Sequence, residues 1–181
     1  SYTKLDENGN NLPDDAESWS MVRDNVTGLV WEIKQNEDYR ADYTNPHDAD
    51  NSYIWYDSNP RTNGGFVGYQ GNGRNTQAFI ESLNTSDFGG FSDWRIPTLK
   101  ELLFIVDLSQ SNPTFSDYFP NLKTYYWSSN TRANKSSHAY YLNTSFGDVG
   151  EHHKSNDYTY VIGVRGGTPG VLGGLVLNGD G

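Results

Sequence analysis

Hydrophobic and polar positions alternate most cleanly over residues 27–34, Thr-Gly-Leu-Val-Trp-Glu-Ile-Lys. Leu29, Trp31 and Ile33 fall on one face, Glu32 and Lys34 on the other, which is the period of a β-strand. Later segments predict further strands over 124–130, 138–146 and 157–165. In the last of these Tyr158, Tyr160, Ile162 and Val164 share a face. Gly147-Asp148 reads as a turn between strands. Two segments carry the helical period instead. Residues 76–84 place Phe79, Ile80 and Leu83 on one side. After Pro97, Thr98-Leu99-Lys100-Glu101 has the pattern of a capping box. Leu99, Leu102, Leu103 and Val106 then follow at i, i+3, i+4 and i+7, and the helix is expected to end before Asn112-Pro113.

Residues 1–20 are expected to be loop. Residues 35–74 are dominated by Asn, Asp, Gly, Tyr and Pro, with a short strand around Ile54-Trp55-Tyr56. Ordered loops of that length are functional, disordered or pinned by metal. No internal repeat is present. Strand, long loop, two helices and then antiparallel strands define an α+β domain, two helices packed on a twisted antiparallel sheet with long loops. It is expected over residues 1–167, with 168–181 a Gly-rich tail or linker.

The N-terminal loop carries the most specific chemistry. Residues 6–17 place Asp6, Asn8, Asn10 and Asp14 at positions 1, 3, 5 and 9 of a twelve-residue loop, with Glu17 at position 12. Leu12, at position 7, offers a backbone carbonyl. This is the ligand order of a calcium loop, because a hard cation takes six to eight oxygens. Asn11 stands at the sixth position, where Gly is usual, and Asn tolerates positive φ. The flanks lack the two amphipathic helices of an EF-hand. The same residues also suit a polar loop of turn formers.

Charge sharpens this picture. The net charge is −10 and the isoelectric point about 4.6. Such a chain is a poor partner for nucleic acid or an anionic membrane, while its surplus carboxylates are potential calcium ligands. There is no cysteine, so no disulfide or thiolate chemistry is possible. No hydrophobic run approaches the roughly 20 residues of a membrane span. The chain opens on Ser1 without a signal peptide, and is expected to be one piece of a longer protein. Aromatic residues make up 14% of it, with 13 Tyr and 5 Trp, so the core must lean on rings. Some of these rings are expected near binding sites.

Three segments carry a family resemblance. They are Trp19–Glu32 (WSMVRDNVTGLVWE), Phe91–Leu102 (FSDWRIPTLKEL), and Tyr126-Trp127-Ser128-Ser129 with the closing Val164-Arg165-Gly166-Gly167. Together they resemble the Lcl C-terminal domain family, named for the last domain of a bacterial collagen-like adhesin. The resemblance implies a C-type lectin-like fold, related to that of the formylglycine-generating enzyme. It implies an extracellular domain of a bacterial surface protein, of the kind that ends large calcium-dependent, RTX-type adhesins in biofilm and cell adhesion. Family members often carry Cys where this chain has Met21 and Gly89. The founding domain is associated with sulfated glycosaminoglycans, a poor match for so acidic a chain.

Further carboxylates cluster at Asp38, Asp42, Asp48, Asp50 and Asp57, and at Asp148, Glu151 and Asp157. Asp48, Asp50, Asp148, Glu151 and Asp157 are the additional calcium candidates, since unneutralised like charge would splay such loops. Arg23-Asp24-Asn25 and Asp93-Trp94-Arg95 read as a structural ion-pair network rather than a catalytic set. His152-His153 reads as a solvated turn, because adjacent strand residues point to opposite faces. The chain carries no nucleophile elbow, zinc-protease signature or phosphate loop, and no enzymatic role is expected. The resulting expectation is a calcium-dependent module recognising a peptide or protein on host or neighbouring cells, its carboxylate bridged by the ion. A glycan ligand and a ligand-free spacer are the alternatives. Trp55, Tyr56, Tyr125, Tyr126, Asn130 and Arg132 are the candidate ligand contacts.

Overall fold

The computed structural model of the chain describes residues 1–110 and 115–167. Seven strands and two α-helices appear among them. In chain order they are β1 (Tyr2–Leu5), β2 (Met21–Asp24), β3 (Val30–Glu32), α1 (Thr76–Thr85), α2 (Leu99–Phe104), β4 (Tyr125–Thr131), β5 (His138–Asn143), β6 (Asp148–His153) and β7 (Val164–Arg165). A 3-10 turn at Phe88–Gly90 follows α1. The architecture is α+β, with two antiparallel sheets where the sequence pattern led us to expect one. The first has the order β1-β2-β3-β7, the second β4-β5-β6.

The alternation over residues 29–33 holds, but both faces of that strand are covered. Leu29, Trp31 and Ile33 join Val22, Leu102, Phe119, Tyr126 and Leu142 in one core. Val30 joins Leu5, Met21, Tyr53, Trp55, Phe79, Trp94 and Trp127 in a second. Glu32 and Lys34 are therefore buried too. Lys34 Nζ lies 2.9 Å from Glu32 Oε1, and His47 Nδ1 lies 2.9 Å from the same oxygen. The Gly163 N–H donates to Glu32 Oε2. Burial pushes the Glu32 carboxyl up, and Lys34 and His47 outweigh it, holding it below the usual range.

Both helices form where the pattern placed them. Asn75 caps α1 by accepting from the Ala78 N–H. Thr98 and Glu101 close the capping box at α2. That helix is shorter than expected, because the chain leaves it at Ile105, which turns into the core, while Leu103 stays partly exposed. The expected stop at Asn112-Pro113 and the 168–181 tail lie outside the described residues.

Two strand expectations are corrected. Residues 1–20 contain β1, whose partner β2 supplies its hydrogen bonds from a distance in sequence. Over 157–165 only Val164–Arg165 forms a strand. Tyr158 is exposed, whereas Thr159, Val161, Ile162 and Gly163 are all buried. This segment runs between the two sheets, bonding to Tyr53, Trp127, Glu32 and Arg95 backbone groups in turn, so alternation has no solvent face to report. The 35–74 region forms isolated bridges rather than strands, including Ile54 to Asn75 and Tyr56 to Gly68.

Candidate functional site

The long loop is fixed from its middle outward. Trp55 is 2% exposed and its indole N–H donates to the Ser128 carbonyl. Its own carbonyl accepts from Tyr69 N–H. A Cβ at Gly68 would sit 2.2 Å from that carbonyl oxygen, and Gly68 has φ +84°, so glycine is required for the approach. Thr76, at the start of α1, ties down the next residue. Its hydroxyl accepts from Tyr56 N–H and donates to Tyr56 O.

Lys154 completes the anchor. It is 0% exposed and donates to the carbonyls of Asn63 (2.9 Å) and Phe66 (2.7 Å), with its ammonium 3.8 Å from the Trp55 ring centre. Burial lowers its pKa from 10.5 to about 8, with Asp57 pulling the other way. An internal cation thus gathers the loop carbonyls. Nothing in the sequence pattern marked this lysine out.

The segment before α2 is held as firmly. Arg95 pairs bidentately with Glu101, at 2.8 and 2.7 Å, and also donates to Gly166 O. Burial of Glu101 is outweighed by Arg95 and the Thr98 N–H, which keep its carboxyl below the usual range. Arg165 pairs with Asp93 at 2.6 Å. Asp24 accepts from Val26 N–H and Thr27 Oγ within its own turn. The expected network between the first strand and the second helix does not form: Asp24 bonds within its own turn, while Arg95 and Asp93 pair with Glu101 and Arg165.

Between these anchors lies a pocket of about 480 Å³. Trp55, Ile80 and Ile96 supply apolar wall, while Tyr56, Asp57, Gln77, Glu81 and Asn130 bring polar groups. Asp57 is oriented by Asn59 N–H and Thr62 Oγ, and Asn130 Oδ1 accepts from the first N–H of α2. Three of the six expected ligand contacts, Trp55, Tyr56 and Asn130, meet here. Trp55 does so as a buried wall. Tyr126 does not contribute: it is 1% exposed and sits in the core. Tyr125 packs on Tyr141 and His152. Arg132 is engaged by Glu151.

A second hollow, of about 650 Å³, opens beside the N-terminal loop. Asp6, Asn8, Leu12 and Glu17 all line it, with Trp19, Lys34 and Asn121. Asp6 Oδ1 accepts from the N–H groups of Asn8 and Asn10, and the Asn10 side chain holds Oδ2. These bonds, led by the Asn10 amide, lower the Asp6 pKa. Asn10 and Asp14 do not line the hollow. Instead Lys4 Nζ donates to the carbonyls of Asp14 and Ala16 and stacks on Trp19 at 4.0 Å. Asp6, Asn8, Leu12 and Glu17 carry oxygen donors, the type a hard cation takes, but Lys34 lines the same hollow.

The other acidic candidates are not brought together. Asp50 accepts from the N–H groups of Asp38 and Arg40 and lies 2.5 Å from Lys123 Nζ. Buried Asp48 accepts from Asp50 N–H. Asp148 and Asp157 are exposed, and Glu151 is engaged by Arg132, with Lys135 at 3.9 Å. Protein cations and backbone amides supply the neutralisation in these loops. Among the described residues no three His, Asp or Glu side chains converge on one point. No described helix is long and apolar enough to cross a membrane.

The fold and pockets define an α+β domain with a preformed, mixed-polarity cleft. The chain belongs to the Lcl C-terminal domain family, whose model it matches over residues 20–165. No curated protein and no solved structure matches it.

Met21 and Gly89, the positions where the resemblance implies Cys, are in contact. A Cβ at Gly89 would lie 2.6 Å from both Sδ and Cε of Met21. The Met21 thioether therefore packs directly against Gly89.

Proposed function

We propose that this domain is the calcium-dependent binding module of a bacterial cell-surface adhesin, with a C-type lectin-like fold, and that it captures a peptide or protein partner. The observation that carries the binding reading is the 480 Å³ pocket, apolar in its walls, polar at its rim, and fixed by Trp55, Thr76 and the Arg95–Glu101 pair. The mainly aliphatic and aromatic walls with few polar groups suit a peptide side chain. The calcium reading rests on Asp6, Asn8, Leu12 and Glu17 facing one hollow. Bound there, calcium would supply charge neutralisation and an open coordination position for a carboxylate oxygen. The domain would work outside the cell, carried by neighbouring domains of a longer chain.

The test is a peptide-library screen on immobilised domain, with and without chelator, beside a glycan array. Peptide capture that needs calcium and disappears with Ile96→Asp is expected. Glycan capture alone would replace the ligand class. Failure to bind either in calcium would leave a spacer and refute the proposal.

A further inference from the structure

The second sheet creates a pairing that no sequence spacing displays. In the β5–β6 register His138 stands directly opposite His153. Their ring centres are 5.1 Å apart, with planes at 89°. His153 is exposed and His138 half-buried, on the face opposite His152, which packs among Tyr125, Trp127 and Tyr141. The expectation of a solvated turn at 152–153 is thereby corrected: both residues lie on β6, and its pleat separates them.

Each ring has a serine hydroxyl at its Nδ1. His138 Nδ1 is 3.0 Å from Ser137 Oγ, and His153 Nδ1 is 2.7 Å from Ser155 Oγ. Ser155 N–H also donates to His153 Nδ1, at 3.3 Å. Among the described residues neither Nε2 has a hydrogen-bond partner. With its Nδ1–H on Ser137 Oγ, the His138 ring presents an Nε2 lone pair, as metal-bound imidazoles do; His153 Nδ1 accepts from Ser155 N–H, so its Nε2 ligates by giving up its proton to Nδ1 as that contact opens. Tyr69 packs beside His153, with ring centres 5.6 Å apart. A Zn–N bond of about 2.0–2.1 Å puts the ion about 3.2 Å from each ring centre, so a tetrahedral angle separates the centres by about 5.2 Å. The observed 5.1 Å separation matches that span, and the site closes when the two Nε2 atoms turn toward one ion.

We propose that His138 and His153 form a two-histidine site for a borderline divalent transition ion, Zn2+ or Cu2+, on the outer face of β5–β6. Imidazole nitrogen selects these ions over calcium, which takes oxygen ligands. The site is therefore separate in place and chemistry from both pockets. Glu151 lies on the same face, two residues from His153, and offsets the charge of Lys135 and Arg132. The remaining coordination positions fall to water or to a donor from a partner molecule.

The experiment is isothermal titration of the domain with Zn2+ and with Cu2+, excess calcium being present so that oxygen sites are filled. Wild type and His152→Gln should each bind one equivalent. His138→Gln and His153→Gln should each weaken it by more than roughly ten-fold. Circular dichroism of all variants checks folding. Imidazole resonances of His138 and His153 should shift on titration with Zn2+. Absence of binding in folded wild type, or unchanged binding in folded His153→Gln, overturns the site. Neither outcome bears on calcium or the peptide pocket.

Discussion

Replacing Lys154 with Met isolates the internal cation from the shape it fills. Lys154 is fully buried, bonds two carbonyls and faces the Trp55 ring. Met keeps the apolar stem but orphans both carbonyls, at about 1–3 kcal/mol each. The lost cation–π contact adds about 1–2 kcal/mol. Against this, Met never pays to desolvate an ammonium. The lowering of the Lys154 pKa from 10.5 to about 8 measures that penalty, and corresponds to roughly 3 kcal/mol. The net cost at neutral pH is then about 2 kcal/mol. That lowers Tm by about 4–8 °C for a domain of this size. The pH dependence separates the terms. Between about pH 8 and 10.5 the folded protein has released the Lys154 proton while the unfolded chain still holds it. The wild type therefore gains stability from this group as pH rises through that window. Tyrosines with raised pKa titrate alike in both proteins and cancel. Thermal melts of the pair from pH 7 to 10 should show the Tm gap widening. A constant or narrowing gap would refute the claim that the ammonium is held in the interior at a cost.

Asp6→Ala with Glu17→Ala should lower calcium stoichiometry by one in equilibrium dialysis; an unchanged count would exclude the N-terminal loop as a site. With a Kd near ~10⁻⁴ M, calcium at about 100 Kd contributes about 2.7 kcal/mol, so chelation should lower the wild-type Tm by several degrees and leave the double variant unmoved. Glu32→Gln leaves the Lys34 charge buried without its partner and should cost about 3–5 kcal/mol by urea denaturation; a cost near zero would show that the pair is not ionised. Gly89→Ala places a Cβ against the Met21 thioether at a φ of +67°, and should cost about 1–2 kcal/mol. Met21→Cys with Gly89→Cys should form a disulfide under oxidising conditions, detected as a thiol count of zero and a Tm that falls on reduction.

Local signals fixed the helices. The Thr98–Glu101 capping box and the spacing of Phe79 and Leu83 each concern neighbours within a turn or two, where the chain has little conformational choice. The β3 alternation and the Asp6–Glu17 oxygen order are of the same local kind, and Asp6, Asn8, Leu12 and Glu17 do face one hollow. The resemblance found the family from its Trp-rich motifs. Of the six expected ligand contacts Trp55, Tyr56 and Asn130 line one pocket while Tyr126 lies in the core, because aromatic character alone cannot separate a pocket wall from a core ring.

What the sequence determined by itself was therefore periodicity, caps, the acidic balance and the absence of thiols. Tertiary structure alone decided that two sheets share the interior, that Glu32, Lys34 and Lys154 are buried, and which carboxylates pair with lysine or arginine. It also decided that His153 meets His138 rather than His152. The reason is register: strand pairing joins residues far apart in sequence, and a one-residue slip would exchange the two faces of β6. That choice depends on how the whole core packs, and no local stretch of sequence records it.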